Sequence, residues 1–123
     1  IVEYKKIKSD YFSNILELTF PDGLDVEIVD TKAFQTLKNF PQSDSELEHV
    51  TLGLYRNPDR YTLSNYQSLV NLRNRRWTVD TYEDLEFVKS VFNHFRGNEV
   101  DFGLAQLLSL ENSNPKYVHL LER

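Results

Sequence analysis

The segment RRWTVDTYEDLEFV, Arg75 to Val88, puts a carboxylate where helix formation does not need one. Thr81 is expected to cap a helix, because Asp84 three residues later completes a capping box and an apolar helical stripe follows. Asp80 precedes that cap and closes an apolar, strand-like run. At the carboxyl end of a strand in an open α/β sheet, an Asp can reach a ligand or a cation in the crevice. It can equally be a further N-terminal charge favoured by the helix dipole, worth roughly 0.3–1 kcal/mol. Spacing alone leaves both readings open.

Asp25 and Glu27 form a second acidic pair, i and i+2 on one face of LDVEIV. Like charges there call for a cation, an Arg or a hydroxyl-rich ligand between them, or for enough solvent to screen them. Glu48 and His49 are adjacent and could act as an acid/base or hydrogen-bonding pair, although a lone His more often bonds locally. Arg73, Arg75 and Arg76 cluster before the single Trp77. Arginines suit forked recognition of phosphate or carboxylate, or they guard a solvated strand edge. His94 and Arg96 suit a helix C-terminus. His119 has no evident partner in the sequence.

The elements that must position these groups alternate in type. IVEYKKIK at 1–8 reads as helix and DYFSNI as a short strand. FPDG at 20–23 reads as a turn with Pro21 presetting φ and Gly23 free for positive φ. LDVEIV at 24–29 should be a strand with Leu24, Val26 and Ile28 on one face. Asp30 or Thr31 should cap a helix to about Lys38, and Ser45 with Glu48 another, burying Leu47, Val50 and Leu54 before Asn57-Pro58. RYTLSNYQ and RWTV read as strands. The helix at 81–95 should bury Leu85, Val88, Val91, Phe92 and Phe95, with Gly97 at its end. Shorter helices are expected at about 101–110 and near the C-terminus. The class is α/β.

With 123 residues and 40% hydrophobic content the chain can bury the core of one domain. A net charge of −5 argues against a general nucleic-acid binder. No segment approaches the ~20 apolar residues of a membrane span. The absence of cysteine excludes disulfides and thiolate metal sites, and the four glycines stand apart, so no phosphate-cradling loop can be built from them. The chain begins at Ile1 and contains no Met, as expected of a processed product or a piece of a longer protein.

Taken in order, YFSN, FPDGLDVEIVDTKAF, ELEHVTLGLYRNPDRY and RRWTVDTYEDLEFV resemble a known family over about residues 1–95. The chain looks like the C-terminal portion of a cytidylyltransferase of the acylneuraminate/KDO cytidylyltransferase family, in the branch named after the spore coat polysaccharide biosynthesis protein F. The resemblance implies the C-terminal part of a three-layer α/β/α nucleotidyltransferase fold, of the nucleotide-diphospho-sugar transferase type, with residues 1–123 carrying the sugar-side and dimerisation region. It implies activation of a sugar, typically a keto-sugar acid, by transfer of CMP from CTP with release of pyrophosphate, for surface polysaccharide or glycan biosynthesis.

Family members hold Mg²⁺ with two aspartates, one in the N-terminal half and one in a VDTPEDLE pattern, which maps onto Asp80. Asp25, Glu27, Glu48, His49 and Arg76 become candidate substrate-binding residues. A cytoplasmic homodimer is expected. Asp22 stands where many relatives have Arg, and Tyr82 replaces a Pro. The family's nucleotide loop, ARxGSxRLPxK, and its first metal aspartate have no counterpart in these 123 residues, so the chain alone is expected to be inactive. A non-catalytic sugar-binding or assembly module, or a transferase of another nucleotide, fits the same residues.

Overall fold

The computed structural model describes residues 1–98 and 100–121. The chain divides into two compact units: residues 1–19 with 25–69, and residues 20–24 with 70–123.

The first unit opens with α1 (Val2–Ile7), which ends as Lys8 takes a left-handed conformation and returns its N–H to the Tyr4 carbonyl. Three short strands follow, β1 (Tyr11–Ser13), β2 (Glu27–Val29) and β3 (Leu63–Asn65), in the order β2-β1-β3. β1 pairs antiparallel with β2 and parallel with β3, so it alone is central, and all its residues are buried. Tyr11, Ala33, Leu37, Leu54 and Tyr61 form the core beneath it, joined by Val29 and Leu63.

β2 is shorter than LDVEIV suggested, for a local reason. At Val26 a long backbone bond (Asn14 N to Val26 O, 3.3 Å) is supplemented by side chains of β1 and its exit: Asn14 Oδ1 accepts from Val26 N at 2.8 Å, and Ser13 Oγ donates to the Val26 carbonyl at 2.7 Å. The inward face is the one that Val29 shares with Glu27. Val29 packs on the core while Leu24 and Val26 are exposed.

The helices between β2 and β3 are α2 (Thr31–Thr36), α3 (Asp44–Glu48) and α4 (Leu52–Tyr55). Asp30, not Thr31, caps α2, accepting from Lys32 N and Ala33 N. SDSELE contains two overlapping Ser-x-x-Glu frames, and the chain uses the first. Ser43 and Glu46 make the capping box, not Ser45 and Glu48. The expected single helix then breaks at His49, whose extended backbone shifts the phase. Leu54 is buried as expected and Leu52 with it, whereas Leu47 and Val50 face outward.

In the second unit, α5 (Tyr82–His94) and α6 (Leu104–Ser113) pack through Val91, Leu107, Leu110 and Tyr117, with Trp77, Phe87, Phe95 and Phe102 around them. The Thr81–Asp84 capping box is formed as expected. Leu85 and Phe92 are more exposed than the stripe implied. Gly97 takes a positive φ just beyond α5. α6 starts later than expected, and Asn114 ends it and caps a 3₁₀ turn at Pro115–Tyr117.

RWTV is not a regular strand. Residues 74–77 instead lie between two neighbours, bonding Asp22 on one side (Asp22 N to Arg75 O, 3.0 Å; Trp77 N to Asp22 O, 2.8 Å) and the C-terminal segment on the other (Arg76 N to His119 O, 3.0 Å; Leu121 N to Asn74 O, 2.9 Å). The FPDG turn makes this approach possible. Gly23 has φ +100, and a Cβ there would lie 2.7 Å from the Trp77 carbonyl carbon and oxygen.

Candidate functional site

Asp84, taken from sequence only as a capping residue, is the centre of the charged site in the second unit. Its residue is 1% exposed. Arg76 forks onto it, Nε to Oδ1 and Nη2 to Oδ2, both at 3.0 Å. The backbone N–H groups of Asp80 and Thr81 donate to Oδ2 at 3.0 and 2.9 Å. His119 Nε2 lies 2.8 Å from Oδ1.

The forked Arg76 holds the Asp84 carboxyl well below the usual carboxylate range, His119 and the two amides add to this, and burial opposes it. An ionised carboxylate only accepts, so Nε2 of His119 must carry the proton in this bond. The His119 ring is also stacked on Phe87, with centroids 4.6 Å apart and planes at 12°. Five contacts saturate the Asp84 carboxylate, which leaves it no capacity to act as a base or a metal ligand.

Asp80 differs in kind. Its side chain is 68% exposed, and its Oδ2 accepts from the same Arg76 Nη2 at 3.0 Å. Arg76 therefore spends its fork on Asp84 and its remaining Nη2 hydrogen on Asp80. The positive charge of Arg76 is matched by the buried Asp84, so the outward carboxylate of Asp80 is left as the net charge of the three. A carboxylate fixed through one oxygen and open to solvent through the other can donate to a cation or accept from a hydroxyl.

The other arginines do not make a phosphate cluster. Arg75 turns to the opposite side of its segment and pairs with Glu111 on α6, Nε to Oε2 at 3.2 Å, where Glu111 is 4% exposed. Successive arginines thus tie the same segment to α6 and to α5. Arg73 remains exposed.

The remaining candidates lie in the first unit. Asp25 is exposed and precedes β2, so it and Glu27 are not a pair on one regular strand face. Glu27 already accepts a hydrogen bond from the buried Tyr11 hydroxyl at 2.7 Å. Burial, and then this carboxylate, push the phenol of Tyr11 upward from its ordinary value. Glu48 ends α3 and His49 is its C-terminal cap residue, both exposed. Of the sequence candidates, Arg76 and Asp80 are brought into contact with each other.

His119 escaped sequence reasoning because its partner lies 35 residues away and no short-range pattern links them. Among the described residues, no group of three or more His, Cys, Asp or Glu side chains converges as a metal site. Nor is any helix there long and apolar enough to cross a membrane.

No protein-family model matches the sequence, and no curated protein matches it. Among solved structures, the chain is similar to a cytidylyltransferase from Leptospira borgpetersenii serovar Hardjo-bovis (strain JB197), with a TM-score of 0.82 and 24% identity. The likeness covers 98% of this chain and 50% of that one, so the chain spans half the length of this structural relative. The chain has the mixed α/β fold of that part of the transferase.

Proposed function

We propose that this chain is part of a nucleotidyltransferase that activates a sugar as its CMP derivative, with CTP as donor and pyrophosphate as the leaving product. The observation that carries the reading is the fold likeness to a cytidylyltransferase over nearly the whole chain. The FPDGLDVE, EHVT and RWTVDTYEDLE motifs support it independently. They also favour a keto-sugar acid substrate, a role in polysaccharide biosynthesis such as that of the spore coat branch, and a homodimer.

Asp80 is the residue on which the chemistry is proposed to rest. Its hard, exposed oxygen suits Mg²⁺, whereas Asp84 is saturated, so this chain fits one corner of a metal site and not a whole one. Bound Mg²⁺ would neutralise charge on the triphosphate. Asp80 would supply one ligand, and the second aspartate would come from the part of the enzyme that holds the nucleotide. Arg76 fixes Asp80, which makes it a positioning group before it is a substrate ligand. Asp25, Glu48 and His49 are exposed and able to meet sugar hydroxyls. Glu27 can do so only while also holding Tyr11.

One observation favours the alternative of a non-catalytic sugar-binding or assembly module: Arg75 and Arg76 are both used in internal ion pairs. Pyrophosphate release from CTP separates the two readings. The longer protein that carries this chain should release it in the presence of an acceptor sugar acid, and the 123-residue chain alone should not. No release by a longer protein with an intact nucleotide loop, across a panel of acceptor sugars, would favour the module.

A further inference from the structure

We propose that His119 is a positioning residue for the Asp80 carboxylate, acting through Asp84 and Arg76. The proposal rests on the reading of Asp80 as a site residue. It concerns a residue outside the stretch in which the sequence resembles the transferases.

Asp84 controls Asp80 by two routes. Its Oδ2 accepts the Asp80 backbone N–H at 3.0 Å, which fixes the main chain. It also orients the Arg76 fork, whose Nη2 reaches Asp80 Oδ2 at 3.0 Å, which fixes the side chain. The position of Asp84 itself is set by its helix cap and by one partner that belongs to neither α5 nor the Arg76 segment, namely His119.

Arg76 Nε and His119 Nε2 share Asp84 Oδ1, at 3.0 and 2.8 Å. Loss of the His119 donor leaves Oδ1 with Arg76 alone, so the carboxylate re-centres on its four remaining contacts and the Arg76 fork shifts with it. The ring is kept from swinging away by its stack on Phe87, and its backbone by the Arg76 N–H to His119 O bond at 3.0 Å. The C-terminal segment is thereby coupled to a carboxylate that it does not touch. A displacement of one ångström in a reacting or ligating group costs up to about 100-fold in rate.

The test compares His119→Ala, His119→Phe and His119→Gln in the longer protein that carries this chain. Ala removes ring and donor, Phe keeps a ring on Phe87 without the donor, and the Gln side-chain amide can restore a donor. Two readouts are taken: the ¹H shifts of the Asp80 and Thr81 amides, which report the Asp84 cradle, and kcat and KM for pyrophosphate release. The Ala and Phe variants should move both amide resonances and lower kcat by about 10- to 100-fold with KM for CTP little changed. The Gln variant should return both toward wild type.

Folded Ala or Phe variants with unmoved amides and wild-type kcat would overturn the proposal, and so would a Gln variant as impaired as Ala. If His119→Ala does not fold, the Phe and Gln pair decides on the same criteria. If the wild-type protein itself releases no pyrophosphate, the proposed function fails. The amide shifts then decide the positioning role alone: shifts moved by Ala or Phe and restored by Gln support it, and unmoved shifts overturn it.

Discussion

Two aspartates four positions apart differ in what surrounds them. Asp80 is held through one oxygen and faces water, whereas Asp84 is buried beneath an arginine fork, a histidine and two amides. Sequence spacing showed that Asp84 completes a cap, and that sufficed to explain it, so its larger role stayed hidden. Its dependence on pH has a definite sign. Because the folded state holds this carboxyl below its ordinary value of 3.8, the stabilisation is complete above that value and is lost as the pH falls below it. Acid unfolding followed by circular dichroism should therefore show a steeper loss below about pH 4 in the wild type than in Asp84→Asn. Parallel acid limbs would mean that the ion pair contributes nothing. Arg76→Lys should lower the thermal midpoint far more than Arg73→Lys, since an ammonium cannot fork onto Asp84 and reach Asp80 together. Equal effects of the two would contradict the geometry.

The starts of α2 and α5 were legible from sequence because their determinants are local: a cap and the group it bonds lie two or three residues apart. Thr81 and Asp84 behave as expected, and Thr81→Ala should cost about 1 kcal/mol in denaturant unfolding. The same rule misplaced the start of α3 only because SDSELE offers two frames. Strand lengths and faces were not legible. They depend on partners distant in sequence, such as Asn14 capturing Val26 or the C-terminal segment pairing with residues 74–76. The FPDG turn lies between these cases: the positive φ of Gly23 was foreseeable, but its contact with the Trp77 backbone was not. Gly23→Ala should destabilise by well over ~1 kcal/mol, because left-handed backbone and a collision with main-chain atoms act together. A thermal midpoint unchanged by this substitution would show that the turn can move away.

For the protein as a whole, the fold class was readable from the alternation of elements, and the chain spans half the length of its structural relative. The three-stranded sheet leaves β2 and β3 as edges, and edges of this kind favour pairing. The 123-residue chain should therefore associate, and light scattering showing a clean monomer at high concentration would count against this. The decisive measurement is the turnover and Mg²⁺ requirement of Asp80→Asn in the longer protein at saturating sugar. Stability should change by no more than about 0.5 kcal/mol, as for an exposed ion pair, while turnover collapses, because an amide cannot supply the charge that the proposed metal site requires of Asp80. A near-wild-type rate with an unaltered Mg²⁺ midpoint would remove Asp80 from the site and leave it as a surface charge at the start of a helix.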